Sequence, residues 1–392
     1  MPSIPDATEL LETARRRTGL RDAGDPSFLR ALNELVRSIN AESSLTPAGA
    51  EAATERWLRL LVNRLRFEAD LERSPEILGQ RLLPPLVICG LPRVGSTKLH
   101  RLLAEGGAFQ ALLFWQGFNP APEPGASSAE PDPRIAEAVR FLEWRSRLNP
   151  ATDAAHHMAA LEPEEDTYLL EYTLHTYWPT SYFNVPGFLR WLAGQDRDAA
   201  FAYVGRLLQY LQWQFHRSHP RPWLLKSPPN FGFEAEIARN LPGARFVVLH
   251  RHPVDVVPSV VAIVREVRRL YCTGPGDLAT IGDWAIEEYS SAMRRHLAWR
   301  QTAPSGSVLD VAYADVVADE ASVIRRVYEH CGIALSDEVL ARMRQWSTDN
   351  AQHKHGEHVY SLAEGGLTRL RIESAFAEYL ARYGAYFGQS PR

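Results

Sequence analysis

The chain has 392 residues, 45% of them hydrophobic and 23% charged, which is ordinary for a globular protein and long enough to bury a sizeable core without staples. A formal net charge of −4 argues against nucleic acid as a partner, because gripping a phosphate backbone needs a basic face, yet it leaves room for a small anion in a local basic pocket. Cys89, Cys272 and Cys331 form neither a zinc spacing nor a disulfide framework and fit a reducing compartment.

The segment Met1 to Arg17 mixes Asp and Glu with its apolar residues, so no signal peptide is expected. The longest strongly apolar run, Leu82 to Gly90, is too short to span a bilayer, and the expected location is cytoplasmic. Residues 1–80 read as a helical cap. Within Ala48 to Leu71 the apolar residues Ala52, Leu58, Leu61, Leu65 and Phe67 recur near the helical period, and Ser74-Pro75 ends the stretch. The cap is expected to pack on the main domain, with a dimer contact as the alternative.

Pro84 to Gly90 is a short buried strand bounded by prolines, followed by a turn and a helix over Thr97 to Glu105. Asn119 to Pro133 is a proline-rich surface loop. Helices are predicted over Ile135 to Leu148 and Glu164 to Tyr177, with one or two more from Gly187 to His216. Further strands are Trp223 to Lys226, Arg245 to His250 and Ser307 to Val311, with a helix near Glu234 to Asn240. Continuous apolar strands separated by helices predict an α/β three-layer sandwich with a central parallel sheet over residues 81–392.

The sharpest motif is Gly90-Leu91-Pro92-Arg93-Val94-Gly95-Ser96-Thr97-Lys98, set between a buried strand and a helix. That placement aims backbone N–H groups and the positive end of a helix dipole at one point, which suits a phosphate. Gly95 allows close approach of the backbone, Ser96 and Thr97 add hydroxyl donors, and Arg93 supplies a permanent forked cation. A Walker A motif would place Lys directly after the second Gly; here that position is Ser96. The plainer alternative is a strand-to-helix turn with incidental glycines.

The pattern of Pro92-Arg93-Val94-Gly95-Ser96-Thr97 after a strand resembles the 5′-phosphosulfate loop of sulfotransferases. That resemblance implies a second signature downstream, and Arg245 to Ser259 provides one: a strand, then Arg251, then Ser259 on the next helix. In that family such an Arg and Ser hold the 3′-phosphate of the donor, 3′-phosphoadenylyl sulfate (PAPS). Taken alone, Arg251 is equally a partner for Asp255. The resemblance runs from about residue 84 to the C-terminus, looks closest to the broad bacterial sulfotransferase group, and implies a P-loop NTPase-like fold. It implies donor-binding roles for Arg93, Gly95, Ser96, Thr97, Lys98, Arg251 and Ser259. Tyr313 would lie near the adenine, although a core tyrosine is the alternative. Lys354, in the imidazole-rich tail His353 to His358, would reach the 3′-phosphate from a basic flap, in preference to a metal site there.

Sulfuryl transfer demands in-line positioning and stabilisation of charge on the leaving oxygen. Arg93 and Lys226 are the expected cations, with a snorkelling strand-end lysine the alternative for Lys226. Animal and plant sulfotransferases carry a His two residues after that Lys; here the position is Pro228, so the base comes from elsewhere. Glu165, in Glu162-Pro163-Glu164-Glu165-Asp166, is one candidate, matching a carboxylate of related bacterial sequences, and His156 or His157 is the other. Capping of a helix N-terminus is the expected role of Glu164 and Asp166. The aromatic stretch Tyr172 to Trp191 is either an acceptor pocket or plain core. The reading is a sulfotransferase acting on the hydroxyl of a small-molecule acceptor, with PAPS as co-substrate and 3′-phosphoadenosine 5′-phosphate (PAP) as product. A P-loop kinase or nucleotidase, or a non-catalytic nucleotide-binding scaffold, is the rival.

Overall fold

A computed structural model describes residues 2–125, 131–350 and 361–387. The N-terminal third is helical. In α1 (Ala7–Thr18) the Asp6 side chain accepts from the Glu9 N–H at the start, and left-handed Gly19 closes the end. After α2 (Ser27–Glu42), α3 (Pro47–Arg73) begins with Thr46 accepting from the Gly49 N–H and Pro47 at the first helical position. These helices bury Leu10, Leu32 and Trp57 in the same core that takes in the sheet.

The sheet has five parallel strands in the order β2-β3-β1-β4-β5. They are β1 (Leu86–Gly90), β2 (Gln110–Ala111), β3 (Trp223–Lys226), β4 (Arg245–His250) and β5 (Val308–Ala312), and helix α4 (Ser96–Glu105) follows β1. The β1 and β3 strands are buried throughout and read as unbroken apolar runs because helices cover both faces. The two-residue edge strand β2 carries no periodic signal and was not expected from sequence.

Register decides where the chemistry lies. Gly90 pairs with Leu249, Ile88 with Lys226, and His250 with Ala312, so the carboxyl ends of β1, β3, β4 and β5 lie along one edge. The chain runs from β1 to β3 on one side and then to β4 on the other. A crevice outside the carboxyl ends at such a reversal is where open α/β sheets bind ligands.

One expected helix does not form as a unit. In place of Glu164 to Tyr177 there is a four-residue helix, Thr167–Leu170, then a 3-10 turn, Glu171–Thr173, and Leu174 in the left-handed region at φ 54°. Tertiary bonds override the local pattern here. Glu171 is fully buried and accepts from the Arg56 Nε at 2.8 Å, and Glu164 N–H donates to the Leu112 carbonyl at 2.8 Å.

Gly90 is the tightest point of the central strand. Its φ is 139°, and a Cβ there would sit 2.6 Å from the Leu249 carbonyl oxygen. Gly90→Ala is therefore expected to lower unfolding free energy by about 1–3 kcal/mol, read from denaturant midpoints. An unchanged midpoint would show that the strand pair yields at no cost.

Candidate active site

The β1–α4 loop is built to turn sharply. Arg93 takes φ 65° and Gly95 φ 82°, and no side chain caps the α4 N-terminus behind Gly95. A non-glycine residue in the left-handed region is uncommon and is held there only by its surroundings. The Arg251 guanidinium, just past β4, supplies part of that hold, donating from Nη1 to the Arg93 carbonyl oxygen at 2.8 Å. The two sequence motifs, far apart in the chain, are thus joined directly.

Tyr313, just past β5, completes this corner. Its ring lies 4.3 Å from the Arg251 guanidinium carbon, and a Cβ on Gly95 would come within 3.1 Å of it. Gly95 is needed both for its positive φ and for this close approach. Ser259 is buried on the Pro253–Arg268 helix and lines the same cavity as Arg93, Gly95, Ser96 and Thr97. Lys98 also lines it, with its ammonium 2.7 Å from Glu320. Lys354 lies outside the described residues, as does the rest of His353 to His358.

The cavity holds about 790 Å³ and is lined by the β1–α4 loop, the acidic segment and a group of aromatic residues. Lys226 is not among the lining residues; from behind them it donates to Glu165 Oε1 at 2.7 Å and to Thr97 Oγ1 at 3.3 Å, both of which line the cavity. Lys226 is 1% exposed and Glu165 7%, so this is a buried ion pair and the lysine does not snorkel to solvent. It ties the strand end of β3 to both the loop and the acidic segment.

The acidic segment does not cap a helix. The short Thr167–Leu170 helix has no side-chain capping bond. Glu164 instead accepts from the Glu165 backbone N–H at 2.9 Å and pairs with His156 Nε2 at 3.1 Å. Burial pushes the Glu164 carboxyl up, but His156, Lys226 and Arg101 outweigh it and hold the group well below the usual carboxylate range. Asp166 accepts from Asn230 at 2.7 Å, and burial raises it to about 6. The expectation of capping by Glu164 and Asp166 fails because each is drawn inward by a tertiary partner.

His156 lines the cavity; His157 does not, and its carbonyl accepts from Arg101. Donor atoms of His156, Glu164 and Glu165 lie within 4.8 Å of one another, a spacing that can hold a metal ion, but the Lys226 ammonium already supplies positive charge to this cluster. Of the aromatic stretch, Tyr177, Trp178 and Tyr182 line the cavity, whereas Tyr172, Phe183 and Phe188 are core. Trp346 and Asn350 also line it. They belong to no motif and lie at the far end of the chain from the loop they face, so no sequence signal marks them.

Residues 84–337 match the model of a family described as the Sulfotransferase family. A curated relative, omega-hydroxy-beta-dihydromenaquinone-9 sulfotransferase Stf3 of Mycobacterium tuberculosis, is 22% identical over 310 residues, covering 77% of this chain and 75% of the relative. The crystal structure of sulfotransferase STF1 from Mycobacterium tuberculosis H37Rv matches with a TM-score of 0.82 and 28% identity, over 96% of this chain and 100% of that one. Sulfotransferase STF9 from Mycobacterium avium matches with a TM-score of 0.85 and 27% identity, over 97% of each. Among the described residues, no helix is long and apolar enough to cross a membrane.

Proposed function

The chain belongs to the sulfotransferase family, and from that premise we propose that it moves a sulfuryl group from PAPS to the hydroxyl of a small-molecule acceptor. The observation that carries the donor assignment is the 2.8 Å bond between Arg251 and the Arg93 carbonyl. It sets the expected 5′-phosphosulfate loop and the expected 3′-phosphate residue side by side on one cavity, at the carboxyl edge of the sheet. The relative named for an omega-hydroxy-dihydromenaquinone supports a hydroxyl as the acceptor group.

In this reading Arg251 and Ser259 hold the 3′-phosphate, and Ser96, Thr97 and the α4 N-terminus take the 5′ side. Lys98 adds charge from the same helix, and Tyr313 borders the nucleoside. Glu165 takes the acceptor proton as the acceptor oxygen bonds to sulfur. The bond from sulfur to the 5′-phosphate oxygen breaks, and PAP leaves carrying the electron pair. Arg93 and Lys226 balance the charge that gathers on that oxygen. Lys226 already touches Glu165 and Thr97, so it can follow charge from the base to the leaving group. Residues 1–80 serve as a packing cap, with Arg56 of α3 bracing Glu171 behind the acidic segment.

Calorimetry with PAP, ATP and AMP in one buffer without Mg²⁺ tests the donor site. Micromolar binding of PAP, with ATP and AMP weaker by about 1.4 kcal/mol or more, is the expected result. A preference for ATP, or no binding of PAP, would overturn the donor assignment.

A further inference from the structure

The Pro253–Arg268 helix does two jobs with one surface. Ser259 faces the proposed 3′-phosphate corner. Immediately after it, Val260, Ile263, Val264 and Val267 line the same cavity. Their spacing of three, one and three residues puts them on one helical face as a continuous aliphatic strip, about 10 Å long at the rise of an α-helix. Leu270 and Tyr271 extend it beyond the helix end and also line the cavity.

The cavity lining is also aromatic, with Phe141, Tyr168, Trp178 and Tyr182 in it. Tyr182 packs on Tyr271 with ring centroids 5.7 Å apart, joining the strip to these aromatic residues. The hydroxyl of Tyr182 accepts from the Trp178 indole N–H at 2.8 Å, so one polar atom of that lining is already used within the protein. The Arg145 guanidinium, also in the lining, donates to the carbonyls of Thr152 and His156. Glu165 and His156, the groups suited to proton transfer, line the same cavity, with Lys226 behind Glu165.

A ligand lying in this cavity therefore meets an acidic group and, along the Pro253–Arg268 helix, an apolar arm. Burying a many-hydroxyl molecule along the arm would leave its hydroxyls without partners, at a cost of a few kcal/mol each. Burying a hydrocarbon there gains free energy with every methylene. We infer that the acceptor is an elongated lipophilic alcohol, with its hydroxyl at Glu165 and its hydrocarbon body along the Val260–Val267 strip, and not a sugar. The inference rests on the sulfotransferase reading above and deepens it.

The test uses the full chain with PAPS and a series of straight-chain primary alcohols from hexanol to dodecanol, below their solubility limits, with glucose and trehalose alongside. PAP formation is measured, and PAP binding is measured separately by calorimetry. The expected result is a kcat/KM that rises roughly threefold per added methylene until the strip is covered, with both sugars about a hundredfold or more below dodecanol. Ile263→Gln, at a half-buried lining position, is expected to flatten the rise. It should cut the dodecanol kcat/KM about tenfold, leave hexanol within about threefold, and leave PAP affinity unchanged.

A flat chain-length profile, sugars used as well as dodecanol, or equal losses for hexanol and dodecanol in Ile263→Gln would overturn the inference. If PAP still binds in that case, the sulfotransferase reading stands and only the acceptor class falls. If PAP does not bind, the donor assignment itself fails.

Discussion

Arg93→Ala is expected to lower kcat by about 10²–10³-fold while weakening PAP binding less than about tenfold. The asymmetry follows from when the charge appears. In bound PAPS the negative charge of the 5′ side is spread over the phosphosulfate. In the transition state it concentrates on the oxygen being released, and only an interaction that strengthens at that moment raises kcat. Arg93 is placed for this by a backbone that the rest of the structure imposes, with φ at 65° and its carbonyl clasped by Arg251. Alanine meets a similar backbone penalty at positive φ, so the Arg251 clasp and the loop should survive the substitution. Arg93→Lys should recover part of the loss, since it restores charge without the forked geometry. Single-turnover rates and PAP calorimetry on the same preparations separate the two effects. A near-normal kcat in Arg93→Ala would remove Arg93 from the transition state.

Glu165→Gln is expected to lower kcat by about 10²–10⁴-fold, because an amide cannot take the acceptor proton. The substitution has a second consequence that must be controlled. Glu165 is the 2.7 Å partner of Lys226, which is 1% exposed. Removing one member of a buried ion pair leaves an uncompensated charge, typically destabilising by about 3–5 kcal/mol. Glutamine keeps an acceptor oxygen for the ammonium, so the loss should lie below that range, and thermal unfolding with PAP binding measures it. Loss of rate with PAP binding retained is the result that assigns the base. His157→Ala is expected to keep kcat near the native value, because His157 does not line the cavity. A near-normal kcat in Glu165→Gln would move the proton acceptor elsewhere.

The placement of the proposed donor residues was legible from short-range patterns. The loop carrying Arg93, Gly95, Ser96 and Thr97 sits where expected, between the end of β1 and a helix, and lines the cavity. Lys226 and Arg251 were placeable for the same reason, since one ends the apolar run of β3 and the other directly follows that of β4. The acidic segment was harder. Glu162 to Asp166 reads locally as the start of a helix, and the helix is cut short because the Glu171 side chain is bound by Arg56 and the Glu164 N–H by the Leu112 carbonyl, both far away in sequence. The aromatic stretch was ambiguous in the same way. Tyr177, Trp178 and Tyr182 line a cavity while Tyr172, Phe183 and Phe188 lie in the core, and only packing distinguishes them.

By itself, the sequence determined the parallel α/β architecture, the phosphate-type loop and the strand-end cations, because each is encoded within about ten consecutive residues by periodicity, backbone preference or charge. The tertiary structure alone decided the order of the strands and the clasp of Arg251 on the Arg93 carbonyl. It also decided the pairing of Lys226 with Glu165 and the joining of an aliphatic helix face to a group of aromatic residues. These are contacts between residues tens to hundreds of positions apart. Nothing local specifies them; they are settled when the whole chain buries its apolar surface and its charged groups find partners within it.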